Sequence, residues 1–79
     1  MKDEIKKIMA LVFEEEEHHI TDDSSPDTIE KWDSLNHMNL VTALEEEFKV
    51  KFSDEEISEM LNLKLITLIL ETKLATNSQ

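Results

Sequence analysis

The chemistry available to this sequence centres on Ser34, the middle residue of the tripeptide Asp33-Ser34-Leu35. The tripeptide follows Trp32 and precedes a helical pattern that ends at Phe48. The chain contains no cysteine, and no evident base beside Ser34 would activate its hydroxyl. The pattern therefore favours a serine that another enzyme modifies over a serine that attacks a substrate by itself.

Ser34 is predicted to lie where a helix begins. The first backbone N–H groups of a helix have no partner within it, and the helix dipole is positive at that end, so a phosphate group is favoured there. The alternative is that Ser34, or Asp33, only caps the helix, because Ser and Asp are among the commonest N-cap residues. Local physics leaves both interpretations open.

A hydrolytic role for Ser34 has little support. His37 follows one turn along the same predicted helix, but a Ser-His pair also needs an orienting group and an oxyanion hole. The Gly-rich turn that exposes a hydrolase nucleophile is excluded, because the chain contains no Gly. We expect no catalytic residue, and the protein is predicted not to be an enzyme.

The other histidines do not predict a metal site. His18 and His19 are adjacent, so on a helix their side chains would point about 100° apart. His37 could join them only if the fold brought it close. The acidic segment 22–27 lacks the Gly and the ligand spacing of an EF-hand loop. We therefore expect no bound metal.

Composition indicates one small acidic domain. Its 79 residues include 19 acidic and 8 basic side chains, a net charge of −11. Such a surface repels nucleic acid and anionic membranes and attracts basic proteins. The segment 1–4 is too charged for a signal peptide, and no apolar run approaches the roughly 20 residues that span a bilayer. We expect a cytoplasmic monomer that binds no nucleic acid and does not insert into membranes.

Hydrophobic periodicity predicts an all-α fold, a small four-helix bundle with three longer helices, a short third helix and a long first loop. The predicted helices are 2–17, 34–48, 54–61 and 63–74. Absence of Gly argues against the tight hairpins of an all-β fold. Residues 75–79 are predicted to form a frayed polar tail.

Individual residues support these helix boundaries. Ser53 and Glu56 form a capping-box pattern at the start of the third helix. Leu40, Leu44 and Phe48 recur every fourth residue and predict the buried stripe of the second helix. In the long first loop, the apolar residues expected to pin the chain to the core are Ile20, Ile29 and Trp32.

The segment from Trp32 to Phe48, WDSLNHMNLVTALEEEF, closely resembles the second-helix signature of acyl carrier proteins. Asp-Ser-Leu alone is a weak signal. The whole string, in a chain of this length, charge and helix order, is a strong signal, and the resemblance covers essentially the whole domain. The resemblance implies that Ser34 carries 4′-phosphopantetheine through a phosphodiester, installed from coenzyme A by a phosphopantetheinyl transferase. The cofactor would supply the thiol that this chain lacks and would hold acyl groups as thioesters.

The resemblance also implies that the second helix docks acyl-loading and acyl-processing enzymes. The acidic residues that would meet Lys and Arg of these partners are Asp33, Glu45 and Glu46, with Glu47 as either a contact or a solvated residue. Leu35 and Met38 would be apolar contacts beside the arm. The alternative is a solvated helix face for the carboxylates and ordinary core packing for Leu35 and Met38.

The resemblance further implies an apolar shelter for an acyl chain between the second, third and fourth helices. Each buried methylene is worth about 0.8 kcal/mol, so a medium chain could be held appreciably. The candidate lining residues are Leu40, Leu44, Ile57, Met60, Leu63 and Ile66. The alternative is a closed core without a cavity, and the sequence leaves both open.

The segment departs from housekeeping fatty-acid carriers. Asn36 and Asn39 stand where such carriers are commonly acidic, and Thr42 replaces an exposed Met. Trp32 and residues 37–40 are more similar to the corresponding residues of carriers that serve polyketide, peptide, polysaccharide or other dedicated pathways. The alternative function is an unmodified acidic interaction domain that binds a basic partner and in which Ser34 is only a cap.

Overall fold

Four α-helices and one 3-10 turn make up the fold of residues 1–77, the part of the chain that this computed structural model describes. The helices are α1 (Lys2–Phe13), α2 (Ser34–Phe48), α3 (Asp54–Glu59) and α4 (Leu63–Asn77), and the 3-10 turn is Glu17–His19. Within this range there is no strand. The predicted all-α four-helix fold is confirmed.

Helix α1 ends at Phe13, whereas the sequence predicted an end at residue 17. Glu14 takes the left-handed conformation, with φ 54° and ψ 47°, and its N–H donates to the carbonyl of Ala10. A longer helix would have placed the four carboxylates 14–17 at the negative end of its dipole. Lys31 of the long loop instead pairs with Glu14 at 2.8 Å and ties this end of the helix to the loop.

The ends of α3 and α4 also differ from the sequence prediction. Helix α3 ends at Glu59 rather than 61, because Met60 leaves the helical conformation with ψ 68°. Helix α4 begins at Leu63, and the Asn62 side chain accepts from the N–H of Leu65 at 2.8 Å, as expected of an N-cap.

Helix α4 runs past its predicted end at residue 74 to Asn77, since Ala75 is a strong helix former and neither Gly nor Pro follows to end the helix. The tail predicted to fray from Ala75 is therefore helical as far as Asn77, and 78–79 lie outside the described residues. None of the helices in the described range combines the length and the apolar character needed to cross a bilayer.

The core lies between α1, α2 and α4, and the long loop is pinned to it. Phe13 at the end of α1 stacks on Trp32 of the loop, with ring centroids 4.9 Å apart. Ile20 and Ile29 are also buried, so the three loop anchors predicted from the sequence all pack into the core. The stacked pair fixes the chain directly before Ser34.

Candidate functional site

Ser34 is the first residue of α2, and its side chain is exposed. The N-cap is Asp33, whose Oδ1 accepts a hydrogen bond from the N–H of Asn36 at 2.8 Å. Of the two capping candidates, the structure thus assigns the cap to Asp33. Ser34 is left with a hydroxyl at the protein surface, within reach of a modifying enzyme.

Asn36 holds the loop against the start of α2. Its Nδ2 donates to the carbonyl of Lys31 at 2.7 Å, and its Oδ1 accepts from Asn39 Nδ2 at 3.1 Å. An ionised carboxylate could not donate the first of these bonds. The sequence marked Asn36 only as a departure from the acidic pattern, but its amide has a structural role that an Asp would not fill.

A groove of about 630 Å³ opens beside Ser34, between the loop, the first turns of α2 and the short helix α3. We call it the Ser34 groove. Its lining residues are Pro26, Trp32, Asp33, Ser34, His37, Met38, Asp54, Ile57, Ser58 and Leu61. The groove adjoins the hydroxyl that the sequence singled out, so a group attached there would have an apolar surface next to it.

The groove is not where the sequence placed the apolar shelter. Of the six predicted lining residues, Ile57 alone borders it. The other five are at most 1% exposed and pack in the core: Leu40, Leu44, Met60, Leu63 and Ile66. Those residues face one another inside the bundle, and the open space lies instead along the outer seam between α2 and α3.

His37 lies on α2 as predicted, but its contacts in this site were not predicted from the sequence. The indole Nε1–H of Trp32 donates to His37 Nδ1 at 2.9 Å, and His37 Nε2 lies 2.8 Å from the carbonyl oxygen of Ile57. An indole N–H only donates and a carbonyl only accepts, so Nδ1 is the acceptor and Nε2 carries the proton. Both ring nitrogens are engaged in structural hydrogen bonds, which leaves neither to act as a base for Ser34.

The two apolar docking candidates lie at the surface. Leu35 is 72% exposed and Met38 is 48% exposed. Neither is therefore a core residue, which was the alternative to a contact role. They give the first turns of α2 an exposed apolar surface beside Ser34.

The acidic docking candidates divide into two kinds. Glu46 and Glu47 are exposed on the last turns of α2. Glu45 is half-buried, and its Oε2 accepts the N–H of Phe52 at 2.9 Å. Asp33 is exposed and also serves as the N-cap. Glu45 and Asp33 thus have structural roles whether or not a partner contacts them.

The paired histidines belong to the 3-10 turn rather than to an α-helix. Their ring centroids are 4.2 Å apart. One ligand atom from each of Glu16, His18 and His19 lies within 4.8 Å of the others, and all three side chains are exposed. His37 takes no part in this cluster, since its ring is held in the Ser34 groove.

No family model matches the sequence, and no curated protein matches it. Among solved structures, the chain is similar to the holo acyl carrier protein from Geobacter metallireducens, determined by solution NMR. The TM-score is 0.85 at 33% sequence identity, and the match covers 96% of this chain and 87% of that one. With the second-helix signature and the exposed serine at the start of α2, this similarity shows that the chain belongs to the acyl carrier protein family.

Proposed function

We propose that this protein carries acyl groups as thioesters on a 4′-phosphopantetheine arm attached to Ser34. The observation that carries the proposal is the division of labour at the start of α2. Asp33 caps the helix, so the exposed hydroxyl of Ser34 has no capping role to lose on modification. The protein itself is a carrier rather than a catalyst in this proposal.

The residues around Ser34 fit the arm. A phosphodiester on Ser34 would lie at the positive end of a 15-residue helix, where anions are favoured. The Ser34 groove offers apolar side chains, among them Met38, Ile57 and Leu61, next to that point. When bound, the arm supplies the thiol that forms the thioester. The similar Geobacter protein is a holo carrier, which supports the same modification here.

The proposed partners are a phosphopantetheinyl transferase and acyl-loading and acyl-processing enzymes that present basic surfaces. A net charge of −11 speeds the encounter with such surfaces and orients it. Leu35 and Met38 supply exposed apolar contacts beside the arm, while Glu46 supplies an exposed charge further along α2. The pathway served is fatty-acid, polyketide or another dedicated biosynthesis in the cytoplasm.

Intact-mass analysis tests the proposal. The purified protein is incubated with coenzyme A and a broad-range phosphopantetheinyl transferase. Wild type should gain the mass of one arm, and Ser34→Ala should gain none. Ser58→Ala is the matched control, because Ser58 is an exposed serine of the same groove and should leave the modification intact.

Two outcomes would contradict the carrier proposal. One is a wild-type mass that does not change, and the other is an added arm that persists in Ser34→Ala. An unchanged mass would favour the alternative, an unmodified interaction domain that uses Leu35, Met38 and the acidic cluster at Glu45 to bind a basic partner. Circular dichroism of each variant verifies that its helices are intact.

A further inference from the structure

We propose that His37 is a positioning residue that holds α3 in place and thereby sets the width of the Ser34 groove. This inference rests on the proposed function in one respect: the group that the groove receives is the arm on Ser34 with its acyl chain. The position of α3 and the tautomer of His37 can be tested on the unmodified protein. A failure of one proposal can therefore be told from a failure of the other.

The His37 ring joins three elements of the fold. It belongs to α2, it accepts the indole N–H of Trp32 from the loop at 2.9 Å, and it donates to the Ile57 carbonyl of α3 at 2.8 Å. The Trp32 ring lies nearly parallel to the His37 ring, with an interplanar angle of 19°, and is itself stacked on Phe13. A continuous set of contacts therefore runs from the core to α3.

Helix α3 is short and packs only partly into the core. None of its six residues is fully buried, Ile57 packs partly against the core, and the buried Phe52 and Met60 hold the chain at its two ends. The last carbonyls of a helix lack an intrahelical donor, and Ile57 is one of them in α3. The Ile57 oxygen accepts a long hydrogen bond from the N–H of Met60, at 3.3 Å, and a shorter one from His37, at 2.8 Å. The bond from His37 is therefore the stronger of the two.

Two other polar contacts of the α3 segment are made by residues that do not line the Ser34 groove. Just before α3 begins, the N–H of Phe52 donates to the Glu45 carboxylate. In the first turn of α3, Glu56 pairs with Lys73 of α4 at 3.0 Å. His37 ties α3 at the wall of the groove itself, because His37 and Ile57 both line it. Loss of this bond would leave the Ile57 wall free to move relative to Ser34.

The bonding pattern also explains why the residue is a histidine. The position needs an acceptor toward Trp32 and a donor toward Ile57, and a neutral imidazole supplies both. A glutamine also offers one acceptor and donors at the end of its side chain. A phenylalanine has a ring of similar shape and offers neither. These two substitutions separate the hydrogen bonds from the packing.

The first test is the protonation pattern of the ring in the unmodified protein. Long-range 1H–15N NMR correlation of the His37 ring at pH 7.5 should show a protonated Nε2 and an unprotonated Nδ1. The Trp32 indole N–H should exchange slowly with solvent. An Nδ1-protonated tautomer, or an indole N–H that exchanges as fast as that of a free indole, would overturn the proposal.

The second test is amide hydrogen exchange, measured residue by residue in a Ser34→Ala background so that no arm is present. His37→Phe should accelerate exchange in α3 by about tenfold, the factor expected for loss of one hydrogen bond. Exchange in α4 should change much less. His37→Gln should restore most of the protection, and His18→Phe, at an exposed histidine, should have no effect on α3.

Equal exchange of α3 in His37→Phe and wild type would overturn the proposal, and so would a failure of His37→Gln to restore protection that His37→Phe loses. If His37→Phe does not fold, His37→Met serves instead, because its flexible apolar side chain is closer to histidine in volume and has no N–H to donate. That variant should also accelerate exchange in α3, and an unchanged exchange rate would contradict the proposed role.

The link to the arm has its own readout. In protein that carries an octanoyl thioester on the arm, His37→Phe should change the rate of thioester hydrolysis relative to wild type, and His37→Gln should return it toward the wild-type rate. Hydrolysis rates that are equal in all three, together with faster exchange in α3, would overturn the connection between His37 and the arm. Protein that accepts no arm at all would refute the carrier proposal and leave the NMR and exchange tests of His37 intact.

Discussion

The Asp33 carboxylate accepts the backbone N–H of Asn36 at 2.8 Å, directly beside the exposed side chain of Ser34. The two residues are adjacent in sequence, and either could have capped α2. Since Asp33 caps the helix, substitution at the two positions should have opposite consequences for stability and for modification.

The unfolding free energy separates the two roles. Asp33→Ala should lower the free energy of unfolding by about 1 kcal/mol, because it removes the N-cap of α2. Ser34→Ala should change it by less than about 0.5 kcal/mol, as is usual for a surface substitution. Urea denaturation of the unmodified protein measures both. A larger loss in Ser34→Ala than in Asp33→Ala would mean that the serine is the cap after all.

Glu45 and Glu46 should differ in the same assay. Glu45→Ala removes the acceptor of the Phe52 N–H and should cost about 1–2 kcal/mol, because the amide is left without that charged partner. Glu46→Ala is the matched control, an exposed carboxylate one residue along α2, and should stay within about 0.5 kcal/mol. Equal effects of the two substitutions would show that the bond to Phe52 contributes nothing to stability.

The pH dependence of stability should report on Glu56. The N–H of Ser53 donates to the Glu56 carboxylate and Lys73 pairs with it, and together they lower its pKa against the opposing effect of burial. Because the pKa in the folded state is below the unfolded value of about 4.3, the stabilisation is present above that pH and is lost as the pH falls through the folded value.

Glu56→Gln should therefore be less stable than wild type at pH 7, and the difference should shrink toward pH 3. Urea denaturation across this range measures it. Glu55→Gln removes the same charge from the exposed neighbouring position of the same first turn and should give a smaller difference at pH 7. A difference for Glu56→Gln that does not vary with pH would contradict the assigned ionic contribution.

The sequence predicted those features that depend on local pattern. The start of α2, the capping box of Ser53 and Glu56, and the buried positions of Leu40 and Leu44 each follow from residues a few positions apart, and the structure contains all of them. The exposed serine at a helix start also needs only a cap and a periodic pattern to be recognised.

The features that the sequence did not predict depend on residues far apart in the chain. Helix α1 ends where Glu14 can meet Lys31, 17 positions away, and the His37 ring bonds to Ile57, 20 positions away. Helical periodicity carries no information about such pairs. Both members of the second pair line the Ser34 groove. Periodicity gave no sign of this groove, and the open space was therefore expected inside the core rather than along the seam of α2 and α3.

Our main proposal is that the arm is attached through the hydroxyl of Ser34. Its most direct test is tandem mass spectrometry of the transferase-treated protein, digested so that Ser34 and the loop serines 24–25 fall in distinguishable fragments. We expect the whole added mass to reside on Ser34 and the free thiol of the arm to react with an alkylating reagent. An arm found on any other residue, or a Ser34 fragment that remains unmodified while the transferase modifies a known carrier in the same tube, would contradict it.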